Sequence, residues 1–206
     1  MADAQELCKE SGPIFRRKDI PAKGYTYQDY LSWGEDVRCE LIDGVPYMLA
    51  APSEWHQWVA GKVFRQLDEF LDGKPCRAYT APFDVRLFPE EGNSDKTVFQ
   101  PDVLVVCDRE KLSNGKSCMG APDFVVEVVS EGTTKKDFVT KKNKYEKAGV
   151  REYWAIDSEE VYKFVLTDGK YAETVYELSA DLCVAVDALP GCNISFRSIV
   201  SQALAG

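Results

Sequence analysis

Five apolar residues enclose one carboxylate in the run Phe124-Val125-Val126-Glu127-Val128-Val129. A continuous apolar run of this length reads as a strand buried on both faces. An ionised carboxylate there is costly unless it is paired, hydrogen-bonded or bound to a cation. Glu127 therefore constrains its surroundings as tightly as its apolar neighbours do. A second run, Val103-Leu104-Val105-Val106, follows Gln100-Pro101-Asp102 and carries an acid at its mouth. If the two strands are neighbours, alternation lets Asp102 and Glu127 converge.

Two converging carboxylates offer hard oxygens to Mg²⁺ or Mn²⁺; Mg²⁺ keeps several waters and completes its shell with substrate phosphate. Such an ion lowers the pKa of bound water, and a lysine beside it stabilises developing charge. No lysine follows Glu127 within its own strand; the nearest lie on a lysine-rich helix predicted over residues 135–148. A T-x-x-[DE] capping box, Thr134 to Asp137, opens that helix and Gly149 stops it. Asp137, Lys141 and Tyr145 are spaced by four and share one face. Lys141 is assigned as the catalytic lysine, with Lys144 as its substitute, because Lys142 points about 100° away. The pattern predicts metal-dependent phosphodiester cleavage, with Asp102 and Glu127 holding the ion.

Each residue also has a plainer reading. Asp137 serves as the capping acid, Tyr145 as core, Asp102 as a strand-opening turn residue, and Glu127 as an acid neutralised by Arg86 or Lys141. Glu40 is a third candidate metal ligand or a surface acid, and Asp84 has the same two readings. His56, at the start of a helix, is an accessory site candidate whose plainer reading is packing or a first-turn hydrogen bond. As the single histidine, it excludes a multi-histidine metal site and leaves any Ser-His-Asp or Cys-His chemistry without a recognisable nucleophile motif. No P-loop or G-x-G-x-x-G is present.

The remaining pattern predicts an α+β (mixed α/β) domain. A short capped helix is expected over 26–31, and a β-hairpin over 39–48 around Asp43-Gly44. Ser53 caps a helix running to about residue 71, striped by Trp55, Val59, Val63, Leu67 and Phe70. Strands follow over 83–87, 102–107, 124–129, 152–157, 161–166 and 170–178. The 206 residues, 45% hydrophobic, suit one domain over 25–190, with an arm over 1–24 and a tail over 191–206. No apolar run reaches signal-peptide or membrane-spanning length, so a cytoplasmic protein without membrane partners is expected. The seven cysteines form no C-x-x-C pair, which argues against a disulfide framework or a thiolate zinc site. Most are expected to be reduced. The net charge of −9 counts against a broad nucleic-acid surface, but residues 132–151 carry +5 and the rest −14. A local basic patch of this kind can hold a phosphate backbone weakly.

Taken in order, Glu40-Leu41-Ile42-Asp43-Gly44, Ala51-Pro52-Ser53 with His56, Gln100-Pro101-Asp102-Val103-Leu104-Val105, Val126-Glu127-Val128-Val129-Ser130, Asp137 with Lys141 and Tyr145, and Gly149-Val150-Arg151-Glu152-Tyr153-Trp154 with Asp157 resemble the Uma-type restriction-endonuclease family of the PD-(D/E)-x-K nuclease superfamily. The resemblance runs from about residue 25 to 178. It implies a restriction-endonuclease-like core, a central mixed sheet flanked by helices, with a divalent metal held by Asp102 and Glu127. It also implies that the motif lysine is displaced to the following helix, as Lys141, and that Glu40 matches the first-helix acid of the superfamily. DNA becomes the expected substrate, and a homodimer the expected assembly. Residues 130–134 depart from the family's Ser-Pro-Ser form, with Glu131 in place of proline. The alternative is a non-cleaving member of the fold that binds nucleic acid or assembles as a dimer. A paired-carboxylate glycosidase leaves the lysine-rich helix without a role.

Overall fold

The computed structural model describes residues 20–34, 37–129 and 135–203. In chain order the elements are α1 (Tyr27–Tyr30), β1 (Cys39–Ile42), β2 (Val45–Met48), α2 (Glu54–Leu71), β3 (Arg77–Thr80), β4 (Asp84–Arg86), β5 (Val98–Phe99) and β6 (Val103–Val106). There follow β7 (Ser117–Met119), β8 (Phe124–Val128), α3 (Lys135–Ala148), β9 (Glu152–Ile156), β10 (Glu160–Thr167), β11 (Lys170–Glu177), β12 (Cys183–Ala185), β13 (Asn193–Ser195) and α4 (Arg197–Ala203). The chain divides into two compact units, Met1–Ala50 with Phe88–Phe99 and Ala51–Leu87 with Gln100–Gly206.

In the first unit, Thr26 caps α1 in a reciprocal capping box with Asp29. The β1–β2 hairpin turns on Asp43 and Gly44, whose φ values of 50° and 80° suit the primed turn that Asp-Gly favours. β5 pairs with β1 at Leu41 and Val98, which with Tyr27 form a small buried core.

The second unit holds a six-stranded mixed sheet in the order β11-β10-β9-β8-β6-β3. Only β8 and β9 run parallel among its pairings, and α3 lies between them in the chain, as a parallel connection requires. Val59, Val63 and Leu67 of α2 pack with Val103, Val105, Phe124, Val126, Trp154 and Ile156 on one face of this sheet. Strand alternation sends Tyr153 to the other face, where its ring lies 5.0 Å from that of Tyr145 and 6.4 Å from that of Phe138, both on α3. The helices α2 and α3 thus cover opposite faces. β4 and β7 pair in parallel, and β12 and β13 form a short antiparallel pair.

A buried polar group ties the C-terminal segment to the sheet. Glu152 is fully buried and accepts hydrogen bonds from Trp154 Nε1 at 2.6 Å and Ala188 N at 2.7 Å. Lys163 Nζ lies 3.4 Å from the Glu152 carboxylate and donates to the carbonyl of Ala185 at 2.6 Å. Burial pushes the Glu152 carboxyl above its ordinary value, against the pull of the Ala188 amide and the Lys163 charge.

Most of the described cysteines are reduced, as expected, with one pair as the exception. Cys76 and Cys107 are joined in a disulfide. They are 31 residues apart, and no local spacing marks them. The β3–β6 ladder pairs Arg77 with Val106, and one further step in that register sets Cys76 across from Cys107. Cys39, Cys118, Cys183 and Cys192 are free thiols; burial pushes Cys118 up to about 12 and Cys192 to about 11.

Candidate active site

β6 and β8 are antiparallel neighbours, with Val103 opposite Val126 and Leu104 opposite Val125. One step further in the same register sets Asp102 across from Glu127, at one end of the sheet. Glu127 is buried on the α3 face. Its Oε1 accepts from Lys141 Nζ at 2.9 Å and from the Tyr145 hydroxyl at 2.7 Å. The four-residue spacing delivers both donors from a single face of α3. Lys142, one position on, points elsewhere: its Nζ stands 4.7 Å over the Phe164 ring and 3.8 Å from Glu173 on β11. Lys144 is half-buried on the same helix.

Asp102 is held differently. Its Oδ2 accepts from the backbone N–H of Val128 at 2.7 Å and lies 3.1 Å from His56 Nε2. His56 stands in the first turn of α2, where its own backbone N–H donates to the Ser53 cap at 3.2 Å. The hydrogen bond to Asp102 raises the imidazole pKa, burial opposes it, and the nearby Glu127 and Lys141 charges act in opposite directions. His56, Asp102, Glu127 and Lys141 therefore share one electrostatic neighbourhood.

The other candidate residues fall as follows. Asp84, on β4, accepts from Gln100 Nε2 at 2.9 Å and so is tied to the residue two before Asp102. Glu40 is buried on β1 of the first unit, paired with Tyr47 of β2. Asp137 lies in the first turn of α3; its side chain, the capping residue Thr134 and the stretch 130–134 are outside the described residues. Sequence reasoning gave His56 at most an accessory role beside packing or a first-turn hydrogen bond; its ring reaches Asp102. The Val128 amide bond also escaped it, because a backbone donor leaves no trace in residue type.

Among the described residues, no group of three or more His, Cys, Asp and Glu side chains is arranged around a common metal position. The donors present are two carboxylates on adjacent strands. Each of them has one oxygen engaged by two protein donors: Oδ2 of Asp102 and Oε1 of Glu127. This set fits Mg²⁺, which takes one or two protein carboxylates and fills its shell with water and phosphate oxygens.

Residues 27–197 match the family described as Uma2, putative restriction endonuclease. The chain belongs to the Uma2 family. The same fold occurs in a crystal structure described as a putative nuclease belonging to DUF820 from Anabaena variabilis ATCC 29413. It superposes with a TM-score of 0.67 at 18% identity, covering 85% of this chain and 97% of that one. No curated protein matches the sequence. The family ties this Uma2 chain to nucleases in general, and the fold is consistent with the restriction-endonuclease-like core that the resemblance implies. Among the described residues, no helix is long and apolar enough to cross a membrane.

Proposed function

We propose that this Uma2 protein is a divalent-cation-dependent endonuclease that hydrolyses DNA phosphodiester bonds at the cluster of Asp102, Glu127 and Lys141. The observation that carries the reading is the meeting of Lys141 with the buried Glu127, in a strand whose register sets Asp102 opposite. Asp102 and Glu127 are the proposed ligands of Mg²⁺ or Mn²⁺. When bound, the ion supplies positive charge to a phosphate and acidifies a water.

The chain's own residues supply the rest. Lys141 carries a fixed positive charge to the edge of the carboxylate pair, where charge develops on a phosphate in the transition state. The buried setting lowers the local dielectric and strengthens that interaction relative to water. Lys142, Lys144 and Lys147 give α3 a basic character suited to a phosphate backbone, in a chain that is otherwise acidic. A homodimer would bring two such sites to the two strands of a duplex.

A second reading, a nucleic-acid-binding protein that does not cleave, draws on the Lys141–Glu127 ion pair, which already neutralises the buried acid. Plasmid DNA incubated with Mg²⁺ or Mn²⁺ separates the two. Cleavage by the wild type, lost in both Glu127→Ala and Lys141→Ala, supports the nuclease. Equal cleavage by Glu127→Ala overturns the site, and DNA binding without cleavage in any protein favours the second reading.

A further inference from the structure

We propose that His56 is a positioning residue of the candidate cation site, fixing Asp102 by one carboxylate oxygen so that the other is turned toward the ion. The inference rests on reading Asp102 as a cation ligand.

Two elements converge on a single oxygen. His56 Nε2 approaches Asp102 Oδ2 at 3.1 Å from α2, and the Val128 N–H approaches the same atom at 2.7 Å from β8. A carboxylate gripped on one oxygen from two directions cannot turn about its last torsion without breaking one of the bonds. Oδ1 takes part in neither bond. The grip is itself anchored, because Ser53 caps α2 and holds the backbone of His56 at 3.2 Å.

The second ring nitrogen points the same way. Nδ1 of His56 is buried and has no hydrogen-bond partner. A histidine serving packing alone has no reason to leave a buried nitrogen unsatisfied, since that costs stability. The cost is understandable if the ring's position is dictated by Asp102. Imidazole also suits the task chemically. It presents a single N–H from Nε2 to one carboxylate oxygen, held by a short, stiff side chain. Outer-shell donors of this kind orient ligands and tune affinity.

The chain has one histidine, so the imidazole resonances are a unique reporter. Mn²⁺ is titrated into the metal-free full chain, with calorimetry for affinity and NMR for the ring signals. Mn²⁺ is expected to broaden the His56 ring lines of the wild type at substoichiometric amounts. His56→Ala is expected to bind Mn²⁺ about 10–100-fold more weakly. His56→Gln, which keeps an N–H donor at similar reach, should recover most of that affinity. Ring lines that stay sharp at saturating Mn²⁺ overturn the proposal, and they do so in the wild type whatever the variants' folding. Equal Mn²⁺ affinity in wild type and His56→Ala also overturns it, while leaving Asp102 as a ligand intact. Failure of the wild type to bind Mn²⁺ removes the cation reading itself, and this inference with it.

Discussion

The Tyr145 hydroxyl donates to Glu127 Oε1 at 2.7 Å, the same oxygen that Lys141 approaches at 2.9 Å. Tyr145 is fully buried, so its hydroxyl has few other partners to turn to. Tyr145→Phe keeps the ring in place and removes one donor from a buried carboxylate. The expected loss is about 1–3 kcal/mol of stability, read by urea denaturation. An unchanged midpoint would show that the hydroxyl bond contributes nothing net.

His56 should titrate above its ordinary value, because the Asp102 hydrogen bond outweighs the effect of burial. A histidine whose folded-state pKa is raised stabilises the fold fully below its unfolded value of about 6.5, and that contribution is lost as pH rises through the folded value. NMR titration of the single imidazole measures this directly. In Asp102→Asn the largest raising influence is gone and burial remains, so the pKa should fall relative to wild type. A titration identical in both proteins would contradict the assigned contact.

Glycine has opposite consequences at two positions. At Gly44, with φ of +80°, an added Cβ would stand 2.8 Å from the Cα of Gly24, against rigid backbone. Gly44→Ala is therefore expected to lower stability by more than about 1 kcal/mol. Gly61 sits within α2 with nothing within 4 Å of an added Cβ. Gly61→Ala should raise stability by about 0.5–1 kcal/mol, because glycine is a poor helix former. Thermal or urea unfolding of the two variants reads both signs.

The Cys76–Cys107 disulfide closes a loop of 31 residues between β3 and β6. Its removal is expected to cost about 2–4 kcal/mol. Denaturation with and without a reductant checks this, and Cys76→Ser should make the transition indifferent to reductant. A wild-type midpoint that ignores reductant would count against the pairing.

Lys163 faces the fully buried Glu152 and the exposed Asp187, at 3.4 and 3.2 Å. Lys163→Met leaves the Glu152 carboxylate without its cation, and a loss of about 3–5 kcal/mol is expected at neutral pH. The loss should shrink at low pH, where Glu152 becomes neutral. Urea denaturation of wild type and variant at two pH values makes the comparison.

Much of the fold was legible because local patterns and tertiary packing agree. The helix expected over 135–148 is α3 (Lys135–Ala148), and the one capped by Ser53 is α2 (Glu54–Leu71). The apolar stripe of α2 is the one that packs, and the face of α3 shared by Lys141 and Tyr145 is the one turned to Glu127. The Asp-Gly hairpin forms where the turn chemistry placed it. The short strands β3, β5, β7, β12 and β13 were not anticipated; a run of two to four residues carries too little periodicity to stand out, and its partners supply the stability.

Sequence by itself determined which residues carry charge, which face of α3 they share, and that a carboxylate at 127 must find a partner inside an apolar strand. Those facts follow from desolvation and helical spacing, which act within a few residues of the chain. Only the tertiary structure decided which partner that carboxylate takes, that His56 reaches Asp102, and that Cys76 meets Cys107. Strand order and register fix these meetings, and they bring together residues whose separation in the sequence carries no record of the contact.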